Sequence, residues 1–188
     1  MCHIDGSPYR VQTKVSFLLS VPFFTVFILL TSLKSTRDAL LIARGVVVMS
    51  GSLAILLIDG NHQDRDHYAE LLRRSFPNCV VVQATTGRTG LVMCQTHAFD
   101  CVVLELDLSD MSGFEVLTKL VPRPQHPEIA VIILTRLYNP YVLDAAIKNG
   151  ALATLQKSTA SGDVLDQTVL KAVSAIPRTS KEPCHFTV

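Results

Sequence analysis

Four polar residues close four short apolar runs: Asp59 after Leu53 to Ile58, Glu105 near the end of Cys101 to Leu106, Thr135 after Ile129 to Leu134, and Lys157 after Leu152 to Gln156. If the runs are parallel strands, their carboxyl ends open on one crevice at the sheet edge. Two acids, a hydroxyl and an ammonium in one crevice compose a phosphoryl site. A carboxylate attacks phosphorus, a second acid helps hold Mg²⁺, the hydroxyl binds a phosphoryl oxygen and the lysine neutralises charge. Glu105 is the centre of this set, because a carboxylate in an otherwise apolar run is costly unless it projects into a wet crevice.

The segments between the runs have the length and spacing of helices. Tyr68, Leu71, Leu72 and Phe76 recur at helical period after the first run. A second run, Cys79 to Gln83, precedes a helix over Thr86 to His97 that Gly87 and Gly90 weaken. Phe114, Leu117 and Val121 give the third helix one apolar face, and the three prolines of VPRPQHP stop it. Asn139 followed by Pro140 starts a fourth helix that ends at Gly150. Ser161 caps a fifth, with Leu165, Val169, Ala172, Val173 and Ile176 on its inner face. Five strand–helix pairs in alternation predict an α/β fold of three layers, a doubly wound, five-stranded parallel sheet covered on both faces; of the few topologies that right-handed crossovers leave, the flavodoxin-like order 2-1-3-4-5 is the one expected.

Composition narrows the function. Net charge is +1 and charged residues make up 18%, which gives no electrostatic footprint for nucleic acid. The five cysteines are scattered without a CxxC pair, which argues against a zinc site or disulfide framework and for a reducing compartment. Residues 15 to 33 carry no charge and approach the ~20 apolar residues that span a bilayer, so an anchor or uncleaved signal stands beside a second reading. In that second reading Met49 is the natural start and residues 1–48 are an upstream extension. The expected organisation is an extension over 1–48, a domain over 49–176 and a flexible tail over 177–188. The domain is expected in the cytoplasm, free or facing it from a membrane anchor.

Five stretches together carry a resemblance: Ile58 to His62, Glu105 to Gly113, Ile132 to Thr135, Asn149 to Ala151 and Leu155 to Ser158. In order and spacing they are similar to the receiver domain of two-component response regulators. The resemblance implies that Glu105 stands at the phosphoacceptor aspartate and that Asp59 and Gly60 stand at the acidic pair. It further implies that the Asp107 backbone carbonyl faces the metal, that Thr135 and Thr154 take the switch positions, Thr154 where an aromatic is usual, and that Lys157 is the pocket lysine. Ser109 and Ser158 stand where proline is common. Glutamate extends the carboxylate by about 1.5 Å relative to aspartate, and the glycine removes a direct metal ligand, so phosphorylation is expected to be slow or absent and Mg²⁺ binding weak. Lys157 is free to pair with Glu105 instead.

Three functions follow. The first is a stand-alone pseudo-receiver that works through protein contacts, with a histidine kinase or another signalling protein as partner. The second is a working phosphoacceptor on Glu105 or Asp107, and the third a small-molecule enzyme on a flavodoxin-like fold. No glycine-rich phosphate loop or nucleophile elbow supports the third. The faces of the fourth helix and fifth strand, with Tyr138, Asn139 and Tyr141, are the expected docking surface, and a homodimer through the fourth helix, fifth strand and fifth helix is an alternative use of it.

Overall fold

The computed structural model describes residues 52–176 and 183–184. The uncharged stretch 15–33, the extension 1–48 and most of the tail 177–188 lie outside the described residues. Among those described, no helix is long and apolar enough to cross a membrane.

Strands β1 (Ala54–Ile58), β2 (Val80–Ala84), β3 (Cys101–Leu104), β4 (Ala130–Thr135) and β5 (Ala153–Gln156) alternate with helices α1 (His62–Ser75), α2 (Gly87–Thr96), α3 (Gly113–Leu120), α4 (Pro140–Lys148) and α5 (Gly162–Ala175). All pairings are parallel and the order is β2-β1-β3-β4-β5. This is the doubly wound flavodoxin-like fold that the alternation predicts. Every residue of β3 and β4 is buried, which is why both read as unbroken apolar runs.

The period of two divides the strand side chains between two cores. Leu56, Ile58, Val102, Leu104, Val131 and Ile133 face one side, against Leu91 and Cys94 of α2, Val116 and Leu117 of α3 and Ala146 of α4. Ile55, Leu57, Val103, Ile132 and Leu134 face the other, against Tyr68 and Leu72 of α1 and Leu165 and Val169 of α5. Burying a Leu or Ile side chain contributes about 1.5–3 kcal/mol, so these two layers dominate the stability of the fold. Asn139 and Ser161 cap their helices as expected: Asn139 Oδ1 accepts from Tyr141 N–H at 3.0 Å and Ser161 Oγ from Val164 N–H at 3.4 Å.

The end of the third strand differs from the sequence reading. The third strand stops at Leu104, two residues short of the apolar run. The Glu105 N–H still donates to Ile58 O at 2.9 Å, but the next two amides turn to the Glu105 carboxylate instead of a neighbouring strand. Leu106 therefore belongs to a turn, which the Gly113 N–H closes by donating to Leu106 O at 2.9 Å. The second helix forms where it is expected, between the cap residues Thr86 and His97, and its two glycines are sites of close approach. A Cβ on Gly87 would lie 2.6 Å from Met111 Cγ, and one on Gly90 2.3 Å from Ile58 Cδ1.

Within the tail, Pro183 and Cys184 are described, and Cys184 N–H donates to Cys94 O at 2.8 Å. The carbonyl it meets belongs to the last turn of α2, where no further helical N–H is available.

Candidate functional site

Sheet register brings the polar residues together. Ile58 pairs with Leu104, and Thr135 with Gln156, so Asp59 and Glu105 leave neighbouring strands side by side, with Thr135 and Lys157 beside them. Backbone bonds extend the ladder by one residue at each of these ends: Asp59 N–H donates to Ala84 O at 3.1 Å and Lys157 N–H to Thr135 O at 2.9 Å. The result is an open cleft of about 420 Å³. Four carboxylates, Asp59, Asp64, Glu105 and Asp107, line it together with two cations, Lys157 and Arg136.

At its floor lies an ion cluster. The ammonium of Lys157, whose side chain is 7% exposed, donates to Asp59 Oδ2 at 2.6 Å and to Asp64 Oδ2 at 2.8 Å, and lies 2.6 Å from Glu105 Oε2. The remaining oxygens have donors too. Asp59 Oδ1 accepts from Asn61 N–H at 2.8 Å, and Glu105 Oε1 accepts from the N–H groups of Leu106 at 2.7 Å and Asp107 at 3.2 Å. Behind the cluster, the buried Arg65 guanidinium donates to the Asp59 carbonyl at 2.9 Å and to Gln83 Oε1 at 3.2 Å. Tyr68 Oη donates to the Lys157 carbonyl at 3.1 Å. The lysine is thus fixed at its backbone and at its tip.

The charges respond to one another. Burial works to raise the Asp64 carboxyl, but hydrogen bonds from Arg136 and Lys157 outweigh it and hold that group below the ordinary carboxylate range. Burial likewise opposes the Lys157 ammonium, yet its bonds to Asp59, Asp64 and Glu105 prevail and raise its pKa above that of an ordinary lysine. Burial raises the Tyr68 phenol.

Asp59, Glu105, Asp107, Thr135 and Lys157, all singled out in the sequence, share the cleft. Thr135 is fully buried and its Oγ1 accepts from Leu137 N–H at 3.2 Å. Asp107 is exposed at the rim, bridged to Ser112 across the turn. Thr154 is half-buried, paired in register with Ile133, and does not line the cleft. His62 is exposed and pairs with Asp66 along the helix at 2.8 Å.

The sequence reading missed two residues, Asp64 and Arg136. Arg136 clamps Asp64 with two bonds, Nε to Oδ2 at 2.9 Å and Nη2 to Oδ1 at 2.7 Å. Asp64 sits three residues after the cap Asn61, whose Oδ1 accepts from its N–H at 3.1 Å, so in sequence it reads as an ordinary first-turn acid. Its contacts lie 72 and 93 residues away, and nothing local announces them.

The oxygens that Mg²⁺, which the resemblance implies, would need are engaged by other partners in this arrangement. The oxygens that would face it already bind N–H groups, and the Lys157 ammonium lies between the three carboxylates. Among the described residues no group of three or more His, Cys, Asp or Glu is arranged to hold a metal ion.

The model of the response regulator receiver domain matches residues 55–169, and the chain belongs to that family, the receivers of two-component signalling. It is 26% identical over 125 residues to a protein-glutamate methylesterase/protein-glutamine glutaminase 2 of Methanospirillum hungatei, covering 66% of this chain and 36% of that protein. It is 28% identical over 111 residues to a response regulator receiver protein of Anaeromyxobacter, covering 59% and 45%. The chain thus spans less than half the length of these curated relatives. A solved CheY-like receiver domain from Methanospirillum hungatei shares the fold with a TM-score of 0.60 at 21% identity, over 67% of this chain and 97% of that one.

Proposed function

We propose that this chain is a pseudo-receiver, a receiver domain that signals through protein contacts and not through a phosphoryl group on its own cleft. One observation carries the reading. Glu105, at the acceptor position, has one oxygen on two backbone amides and the other 2.6 Å from the Lys157 ammonium. A nucleophile needs a lone pair aimed at phosphorus in line with the leaving group, and both oxygens of this carboxylate point elsewhere. Gly60 adds to this by supplying no side-chain ligand at the acidic pair. The fixed negative charge of Glu105 beside Lys157 stands about where a phosphoryl oxygen would meet that lysine.

The partner is a histidine kinase or another signalling protein. Tyr138 and Tyr141, 83% and 85% exposed beside the cap Asn139, offer aromatic contact area at the start of α4. Incubation of the full chain with Mg²⁺ and acetyl phosphate, followed by intact mass, tests the proposal. The expected result is an unmodified chain; a phosphoryl adduct would make it a working acceptor.

A further inference from the structure

An ammonium has three N–H groups, and those of Lys157 have three carboxylates within 2.8 Å: Asp59, Glu105 and Asp64. We propose that Lys157 is the resident cation of the cleft, and that Asp64 is the positioning residue that closes the carboxylate cage around it in place of the acid absent at Gly60. The inference deepens the pseudo-receiver reading, since it explains how the cleft keeps its arrangement without a divalent ion.

The geometry of Asp64 supports the assignment. It reaches the lysine from the first turn of α1, four residues beyond Gly60, at 17% exposure. The two bonds from Arg136 fix the plane of its carboxylate and so aim Oδ2 at Lys157. Arg136 follows β4 and Lys157 follows β5, so this one carboxylate ties α1 to two strand ends. Glycine at 60 is not a demand of the backbone. A Cβ there would meet nothing closer than Thr85 O at 3.8 Å, so the negative charge has a new position without a steric cause at the old one. Without Lys157, the three carboxylates of the cage would face one another with only Arg136 to offset them, an arrangement that draws a small hard cation.

The test compares melting of the full chain in EDTA and in millimolar Mg²⁺ for the native protein and for Lys157→Gln. The native chain is expected to melt within about 1 °C in the two conditions. Lys157→Gln is expected to lose on the order of 10 °C in EDTA and to regain roughly half of that in Mg²⁺. A native chain that Mg²⁺ stabilises by several degrees would overturn the proposal, as would a Lys157→Gln chain indifferent to Mg²⁺. Should Lys157→Gln not fold, Asp64→Asn decides through the ¹⁵N resonance of the Lys157 ammonium. That signal is expected to be visible in the native chain, where the three carboxylates slow its hydrogen exchange, and to be lost in Asp64→Asn; its absence from the native chain would overturn the cage, and its persistence in Asp64→Asn would remove Asp64 from it. None of these readings reports phosphorylation. An adduct on the native chain refutes silence alone, and a Mg²⁺-dependent native melt refutes the cage alone.

Discussion

A methylene decides much at Glu105. The longer side chain curls back over its own turn to accept from Leu106 and Asp107 N–H while its second oxygen reaches Lys157. The type and position of Glu105 and Lys157, and their direct pairing, could be read from the sequence, because both residues end strands of the same sheet. Asp64 could not, since its role depends on a side chain crossing from a helix to two strand ends. Two expectations attach to it. Asp64→Asn should destabilise the domain by about 1–3 kcal/mol, the range for hydrogen bonds between charged partners, as measured by urea unfolding near neutral pH.

The pH dependence of that loss follows from the directions of the shifts. The Asp64 carboxyl is depressed in the folded state, so its contribution is complete above the unfolded carboxylate value near ~3.9 and fades as pH falls through the lower folded value. The Lys157 ammonium is raised, so its contribution holds below the unfolded lysine value near ~10.4 and fades as pH climbs through the higher folded one. Stability is therefore expected to be level for these two groups between the limits and to fall outside both. In a melting series across pH, Asp64→Asn should flatten the acid limb. An unchanged acid limb would show that the clamp contributes nothing to folding.

At the scale of elements, the cleft depends on how tightly two helices approach the sheet. Gly90 lets α2 lie on Ile58, one residue before Asp59, and Gly113 lets α3 start against the backbone of Glu105 and Leu106. A Cβ on Gly113 would come within 2.5 Å of Glu105 O, a backbone atom that has no rotamer to yield. Gly113→Ala is accordingly expected to cost about 2–3 kcal/mol or more, and Gly60→Ala less than about 0.5 kcal/mol, in equilibrium unfolding. Equal costs would show that the close approach at Gly113 does not constrain the packing of α3. The two glycines of α2 illustrate the limits of propensity: in the sequence they weaken the helix, whereas in the fold they permit its contact. Asp110 adds a link that spacing does not reveal. Its carboxylate accepts at 2.9 Å from both Gly87 and Arg88 N–H, capping α2 from the turn after β3, and those amides hold its pKa down against the effect of burial.

Across the whole molecule, the layered parallel sheet followed from alternation, because fully buried strands such as β4 leave unbroken apolar runs, whereas the crossover rule only narrowed the strand order to a few arrangements, of which 2-1-3-4-5 is the one found. The convergence of Asp59, Glu105, Thr135 and Lys157 followed from the same fact, since every strand of a parallel sheet ends at one edge. The ion cluster was only partly legible: the strand-end charges could be placed from the sequence, and the tertiary approach of α1 brought Asp64 to Lys157 and to Arg136 at the end of β4. Thr154, by contrast, keeps its strand position but stays outside the cleft.

The proposed silence of the cleft rests on two positions, Glu105 and Gly60, the second of which supplies no side chain. Its most direct measurement is the intact mass of the full chain after acetyl phosphate and Mg²⁺, native beside the double variant Gly60→Asp with Glu105→Asp. Open space around Gly60 admits the first change, and shortening the acid frees its carboxylate from the Leu106 and Asp107 amides. No adduct is expected on the native chain and a single phosphoryl adduct on the double variant. A phosphorylated native chain, or a double variant as inert as the native, would overturn the proposed silence of the cleft.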